Sequence, residues 1–319
     1  MKRTRNILII IAVILMAAGI IICSASLCMT GFDFSQFTTS MTGSEVKEMN
    51  RDLTADYQRI TIDTKDREIK FEKSEDDKLH LEYTESEKRI IEISENNAEL
   101  SVIERLDYKW YDYIFNFDFG NKLVVKLPSD IKAQISVNTS NGKISFTDIS
   151  VKNSVDLHTS NGAINITDAA IGGDITAQTS NGRIELLRAS VAGKADMKTS
   201  NGECSADGAS VKGELKFKTS NGKIYLNNAQ AEEISAESSN GKIEFYNADV
   251  DKSINAQTSN GKIEGTLVGK PGDFSFRCEN SGHNNSNLPP EGNGGKQAYF
   301  KTSNGDIDVA YTGGASSAE

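Results

Sequence analysis

The chain has 319 residues and a formal net charge of −10, and charged residues make up 25% of it. An acidic surface excludes nucleic acid and anionic lipid headgroups as favoured partners, because both carry negative charge. The four cysteines lack metal-ligand spacing, and no HExxH, Gly-x-Ser-x-Gly or phosphate-binding motif occurs. We therefore predict no catalytic site, no cofactor and no metal.

The N-terminus predicts a membrane anchor. Residues 7–29 are uncharged and largely apolar, and at 1.5 Å per residue a helix of that length spans about 34 Å. Basic residues precede this run and Asp33 is the first charge after it, which places residues 1–6 in the cytoplasm. A cleaved signal peptide is the alternative, since Ser24–Ser26 resembles a cleavage site. In both cases the rest of the chain is expected outside the cytoplasm, and the anchor predicts a single-pass protein of the cell membrane.

The segment after the anchor predicts a tether followed by irregular strands. Residues 30–56 have only a weak pattern, and a short helix is expected around residues 45–51. Alternation of apolar and polar residues begins at Arg59–Asp63 and continues with charged, irregular turns. We interpret residues 57–138 as the imperfect N-terminal part of a stack of strands, which closes one end of its core.

One aromatic cluster lies in this part of the chain and contains the only tryptophan. Its members are Tyr108, Trp110, Tyr111 and Tyr113. Tyrosine and tryptophan are favoured at binding surfaces, so these residues are candidate contacts for a partner. The alternative is that the rings cover an end or a flank of the core, as large apolar side chains commonly do.

From residue 139 onward the sequence repeats. Thr-Ser-Asn-Gly starts at Thr139 and recurs about every twenty residues, with isoleucine two positions after the glycine in every copy except the one at Cys204. A fixed period in this range is the signature of stacked repeats. Each repeat alternates apolar with polar residues, so residues 139–312 predict an all-β fold, a single-stack β-solenoid, rather than a helical repeat.

The alternation also assigns the two faces of each strand. In one coil Ile184, Leu186 and Met197 are predicted to point inward, whereas Arg183 and Glu185 point outward. The other coils follow the same phase, and stacking them would bury one continuous core. Cys204 takes an inward position and is expected to behave as a small core residue.

The Asn-Gly pair of each copy is predicted to form a corner of the coil. Glycine, and to a lesser degree asparagine, adopts the positive φ that a corner can require. Alternation places the threonine and the asparagine of the motif inward, where ladders of hydrogen bonds between coils are expected. The predicted corner residues are Asn141, Gly142, Asn161, Gly162, Asn181, Gly182, Asn201, Gly202, Asn221, Gly222, Asn240, Gly241, Asn260, Gly261, Asn304 and Gly305.

The repeat is interrupted once, between Thr258 and Thr302. We interpret Glu279–Gly282 as a degenerate corner between these two copies. Residues 284–295 are rich in asparagine, glycine and proline and predict a loop. Residues 313–319 predict a disordered tail.

These features together resemble the bacterial putative-adhesin family of unknown function. The resemblance rests on the N-terminal membrane segment, the run Leu123–Pro128 and the reiterated Thr-Ser-Asn-Gly-Lys-Ile corners, and it covers residues 55–312. It implies a surface-exposed, membrane-anchored β-solenoid of the cell envelope and supplies no catalytic residues.

Two non-enzymatic functions fit such a rod. One is a binding, adhesin-like or scaffold module that contacts cell-wall polymer, an envelope protein or copies of itself. The other is the sensing half of an envelope-stress circuit, which would need a membrane partner because residues 1–6 are too short for an output domain. An ice-binding surface is disfavoured because the repeated threonines are predicted to point inward.

An enzyme is the third alternative. Glu244 and Glu264 are predicted to lie about 5 Å apart on neighbouring coils, which suits a retaining glycosidase. Lys242 and Lys262 flank them, however, and a flat strand face provides no cleft that excludes water. A solvated charged face is the favoured interpretation.

Overall fold

The computed structural model describes residues 46–53, 56–107, 121–280 and 293–313. The strands belong to one unit, formed by Val46–Leu106 and Asn121–Glu319. The predicted anchor at residues 7–29 and the aromatic residues Tyr108, Trp110, Tyr111 and Tyr113 lie outside the described residues. Within the described ranges, no helix has the length and apolar character needed to cross a membrane.

The described residues of the N-terminal part form seven strands. They are β1 (Lys47–Leu53), β2 (Arg59–Asp63), β3 (Glu68–Lys73), β4 (Leu79–Glu85), β5 (Arg89–Asn96), β6 (Glu99–Leu106) and β7 (Lys122–Leu127). The helix expected around residues 45–51 is wrong, because β1 pairs with β4 as an antiparallel strand. Antiparallel pairs also join β4 to β7 and β5 to β6, so both sheets begin with antiparallel strands.

The regular part supplies the next sixteen strands. They are β8 (Gln134–Thr139), β9 (Ile144–Thr147), β10 (Ser150–Val151), β11 (Val155–Thr159), β12 (Ile164–Thr167), β13 (Ala170–Ile171), β14 (Ile175–Gln178), β15 (Ile184–Leu187), β16 (Ser190–Val191), β17 (Ala195–Lys198), β18 (Cys204–Asp207), β19 (Ser210–Thr219), β20 (Ile224–Asn227), β21 (Gln230–Ser238), β22 (Ile243–Thr258) and β23 (Ile263–Leu267). A 3-10 turn at Pro271–Asp273 precedes β24 (Phe274–Asn280), β25 (Lys296–Thr302) and β26 (Ile307–Tyr311).

These strands stack in parallel and in register, which confirms the predicted β-solenoid. In the first sheet, Ile164 of β12 pairs with Ile144 of β9 on one side and with Ile184 of β15 on the other. The second sheet repeats the pattern, with β11 between β8 and β14. Each coil therefore buries its inward residues against the coils above and below.

Burial confirms the predicted phase of the strands. Ile184, Leu186, Met197 and Cys204 are fully buried, whereas Arg183 is exposed. A further inward column, formed by one isoleucine and five alanines, was not predicted from the alternation. It consists of Ile149, Ala169, Ala189, Ala209, Ala229 and Ala248.

The corner glycines were expected to adopt positive φ, and this expectation is wrong. Among the described residues, positive φ at a glycine occurs only at Gly208 and Gly269, so the corner glycines do not adopt it. Their backbones instead touch: a Cβ on Gly182 would lie 1.8 Å from the carbonyl oxygen of Gly162. Positive φ recurs at a different corner, once in each successive coil, at Asp148, Asp168, Arg188, Gly208, Asn228 and Asn247.

Strand order departs from chain order at both ends of the stack. At the N-terminal end, β2 pairs with β8 on one side and with β6 on the other. In sequence, β6 comes between β2 and β8, but in the stack it lies on the far side of β2. At the C-terminal end, β25 pairs directly with β22, and β24 lies beyond β25. Thr258 and Thr302 therefore pair with each other directly. The corner predicted at Glu279–Gly282 stays a prediction, because residues 281 and 282 lie outside the described residues.

Candidate functional site

The buried side of each Thr-Ser-Asn-Gly corner is held by its threonine. The Thr179 hydroxyl donates to the carbonyl oxygen of Gly162 at 3.0 Å and accepts from the amide of Gly182 at 3.1 Å. Equivalent bonds recur in the neighbouring coils, for example from Thr199 to Gly182 at 3.0 Å. The threonine thus links two coils and closes its own corner, which explains its inward position.

The asparagines form the expected ladder, but on the outside. Each corner asparagine is exposed, so the predicted inward orientation is wrong. The Asn181 amide donates to the Asn161 side-chain oxygen at 2.6 Å, and Asn201 donates to Asn181 at 2.7 Å. The bend that follows the serine turns the asparagine out of the strand alternation, because two successive amides donate to one serine carbonyl of the adjacent coil.

The sequence pattern missed the first rung of this ladder. Asn141 donates to Asp66, which occupies the asparagine position of the coil formed by β2 and β3. The missed signal was Thr64–Ile69, where threonine and isoleucine have the same spacing as in Thr139–Ile144. Arg67 stands where the repeats have glycine.

Arg67 is part of a buried charged cluster at the N-terminal end of the stack. Its side chain is fully buried, and its Nε lies 2.6 Å from Oε1 of Glu104, which is also buried. Arg89 Nε approaches the same oxygen at 3.4 Å. A carboxylate flanked by two guanidinium groups compensates charges that would be costly to bury singly. The Arg67–Glu104 pair links the coil formed by β2 and β3 to the neighbouring strand β6.

The outward face of the first sheet contains the candidate carboxylates. Glu264 lies between two lysines, with Nζ of Lys242 at 2.5 Å and Nζ of Lys262 at 2.6 Å. Glu244 contacts Lys223 and Lys242. We call Lys223, Lys242, Lys262, Glu244, Glu264 and Asp308 the charged face.

The electrostatics of this face oppose acid catalysis. Hydrogen bonds from Lys242 and Lys262 lower the pKa of Glu264 to about 2. Desolvation raises the pKa of Glu244, but hydrogen bonds from Lys223 and Lys242 outweigh it and the net shift is downward. A retaining glycosidase needs one carboxyl group with a raised pKa as its proton donor. Both groups are ionised at neutral pH and can only accept hydrogen bonds or attract cations.

Two tyrosines lie beside the charged face and were not singled out from the sequence. The ring centroids of Tyr225 and Tyr246 are 6.1 Å apart, and Nζ of Lys223 lies 4.7 Å from the centroid of Tyr225. The Tyr246 hydroxyl lies 3.3 Å from Glu264. The sequence could have indicated both tyrosines, because alternation along their strands places them outward. Tyr225 pairs with Glu244 on the adjacent strand.

A separate cleft of about 640 Å³ lies near the N-terminal coils. Its lining includes Tyr57, Arg59, Glu99 and Lys132. Arg59 and Glu99 face each other at 3.7 Å, so opposite charges pair across the wall instead of converging on one point. Within the described part of the chain, no group of histidine, cysteine and carboxylate side chains could hold a metal ion.

Stacked coils, corner ladders and paired surface charges define a β-solenoid repeat protein. The chain belongs to the family described as Toastrack DUF4097, whose model matches residues 57–310. This agrees with the family resemblance inferred from the repeats. No curated protein matches the chain.

Several solved structures are similar to the chain. A putative adhesin from Parabacteroides distasonis ATCC 8503 is 14% identical over 84% of this chain and 97% of that chain, with a TM-score of 0.43. A putative adhesin from Bacteroides fragilis NCTC 9343 is 16% identical over 82% and 97%, with a TM-score of 0.36. A putative lipid binding protein from Parabacteroides distasonis ATCC 8503 is 14% identical over 84% and 96%, with a TM-score of 0.28.

Proposed function

We propose that the chain is a non-catalytic binding or scaffold module that residues 7–29 hold at the outer face of the cell membrane. One observation carries the non-catalytic part: the best carboxylate pair, Glu244 and Glu264, is bonded to lysines and ionised on a sheet face. Catalysis would instead need groups with opposed pKa shifts that converge in a partly desolvated concavity.

The ladder-bonded stack supports a binding role. Adjacent strands lie about 4.8 Å apart, so equivalent outward side chains form straight columns along the stack. Threonine and asparagine bonds fix each coil to the next at the corner. Such columns present many groups to one extended partner from a backbone that is already ordered, which reduces the conformational freedom lost on binding. Cell-wall polymer, an envelope protein or another copy of the chain would be partners of this kind.

The membrane location rests on the sequence. The uncharged run at residues 7–29 has the length of a transmembrane helix, and basic residues precede it. A cysteine introduced at the exposed Asp251 tests the orientation in intact cells without wall, with Cys23, Cys28 and Cys278 replaced by serine. A membrane-impermeant maleimide should label it before lysis. Labelling only after lysis would refute the outside location.

The non-catalytic claim has its own test. The full chain, incubated with purified wall polysaccharide, should release no reducing ends above the level of a boiled sample. Glu244→Gln with Glu264→Gln should leave retention of the chain on envelope material unchanged. Release of reducing ends that the double variant abolishes, with the β-sheet circular dichroism intact, would establish the glycosidase instead.

A further inference from the structure

Each corner of the solenoid contains a dipeptide with chemistry of its own. Asparagine is among the heat-labile residues, and an asparagine followed by glycine deamidates without an enzyme. The glycine amide nitrogen loses its proton to hydroxide and attacks Cγ of the asparagine, so that a C–N bond forms and the side-chain nitrogen leaves as ammonia. Water then opens the succinimide ring to aspartate or isoaspartate. Glycine has no Cβ to hinder the attack, so the structure around each corner decides which of them reacts.

In seven of the eight corners the attacking amide is held by a hydrogen bond. The glycine amide donates to the hydroxyl three residues before it, as from Gly261 to Thr258 at 3.3 Å. The ladder also holds the side chain under attack, since Asn260 donates to Asn240 and accepts from Asn304, both at 2.7 Å. Reaction at Asn260 therefore requires that several bonds break. The other glycines with a bonded amide are Gly142, Gly162, Gly182, Gly202, Gly222 and Gly241.

The eighth corner, Asn304–Gly305, has fewer restraints. The Thr302 hydroxyl donates to the carbonyl oxygen of Gly261 at 2.9 Å, but the Gly305 amide has no acceptor among the described residues. Asn304 donates to Asn260, and no side chain in the described ranges donates to its own side-chain oxygen. The carbonyl oxygen of Gly305 accepts one bond, from the Asn280 side chain at 3.0 Å. The attacking amide is thus free, and the side chain under attack is held by one bond.

The place of this corner in the stack also lowers the cost of opening it. The strand after Asn304 is β26, which pairs with β23 alone among the described strands. The strand after Asn260 is β23, which pairs with β22 and with β26. Local opening costs less where fewer strand ladders break. Both asparagines are exposed, so access of water and hydroxide does not distinguish them.

We propose that Asn304 is a site of spontaneous deamidation in the native protein, with hydroxide and water as the only co-reactants, and that the seven other corners are protected. The reaction places a carboxylate at the end of the ladder. An ionised carboxylate only accepts hydrogen bonds, so residue 304 loses its bond to Asn260 and the last coil loses one of its ties to the stack. This inference does not depend on the proposed binding function.

A time course with the full chain in detergent micelles tests the proposal. The native chain is kept in mildly alkaline buffer, and samples are digested with trypsin at mildly acidic pH, which stops the base-dependent attack. Trypsin releases Ser253–Lys262 and Thr302–Glu319 as separate peptides, and fragment masses locate the modified residue. Asn304 should deamidate at least tenfold faster than Asn260. In urea the two sites should react at similar rates, because both lie in the sequence Thr-Ser-Asn-Gly.

Two matched variants test the role of the glycine bond. Thr258→Val and Thr302→Val each remove a bond to the glycine carbonyl of the preceding coil, but only Thr258→Val also removes the acceptor of the Gly261 amide. Thr258→Val should therefore speed deamidation of Asn260 at least threefold, whereas Thr302→Val should change that of Asn304 less than twofold. Equal rates at the two asparagines in the native chain, a native Asn304 that reacts only in urea, or equal effects of the two variants would overturn the proposal.

Discussion

Replacing the corner glycine Gly182 by alanine should destabilise the stack strongly, for a steric reason. A Cβ at this position would lie 1.8 Å from the carbonyl oxygen and 2.4 Å from the carbonyl carbon of Gly162. Both atoms are backbone, so the two coils must move apart locally. The movement weakens the hydrogen bonds from the backbone amides of Ser180 and Asn181 to the carbonyl oxygen of Ser160. It also weakens the bond from the side-chain amide of Asn181 to the Asn161 side chain. Three bonds at about 1 kcal/mol each give a cost of about 3 kcal/mol.

Gly208→Asn is the matched control, because this glycine is required for a different reason. Gly208 has a φ of +62°, and the atom nearest to a Cβ added there would be Cγ of Arg188, at 3.5 Å. Asparagine already occupies the equivalent corner at Asn228 and Asn247 with positive φ. The control should therefore change stability by less than about 1 kcal/mol. Urea unfolding followed by circular dichroism measures both variants. Equal shifts of the midpoint would refute the steric account.

Three further predictions concern titratable groups. Glu104→Ala should cost about 3–5 kcal/mol of unfolding free energy, because it leaves the buried Arg67 without its carboxylate; Glu237→Ala, which breaks the exposed pair with Lys218, should cost under about 1 kcal/mol. Hydrogen bonds to Asp76 and Asp52 raise the pKa of His80 above 6.5. The contribution of this side chain to the unfolding free energy is therefore complete below pH 6.5 and is lost as the pH rises through the pKa of the folded state. As the pH rises from 6.5 through that pKa, the urea midpoint should fall in the wild type and fall less in His80→Asn. Burial raises the pKa of the Cys204 thiol to about 12, so iodoacetamide should modify it at pH 8 only after unfolding; rapid modification of the native chain would contradict its burial.

The sequence predicted the repeating part of the fold because each coil meets the same local constraints. Alternation decides which side chains face the core, and a one-residue shift would expose Ile184 and Leu186 while burying Arg183. Register follows from the repeat itself, since identical corners pair best with identical corners. The motif therefore located the corners and the inward threonines. It did not give their partners, because the Thr179 hydroxyl bonds the carbonyl oxygen of Gly162 and not the threonine of the adjacent coil, as the expected ladder required.

The wrong predictions arose where the alternation of residue types or the propensity of one residue does not determine the backbone conformation. Alternation assigned Asn181 to the inside because it assumes a continuous strand, whereas two amides that converge on Ser160 bend the backbone there. Propensity assigned positive φ to Gly182, although close contact with Gly162 also requires glycine. The burial of Ser205 was also missed, because alternation places this serine outward and only the packing shows that it is covered.

The order of strands at the N-terminal end leads to a last prediction, on hydrogen exchange. In a stack that followed chain order, β2 would be a terminal strand with one neighbour and would fray. In this chain Ile60 pairs with Leu100 of β6 on one side and with Ile135 of β8 on the other, so opening β2 breaks two ladders. Mass spectrometry of exchanged peptides should find β2 as protected as the central strand β12, and more protected than β5, which pairs with β6 alone among the described strands. Exchange in β2 as fast as in β5 would contradict the interleaved order.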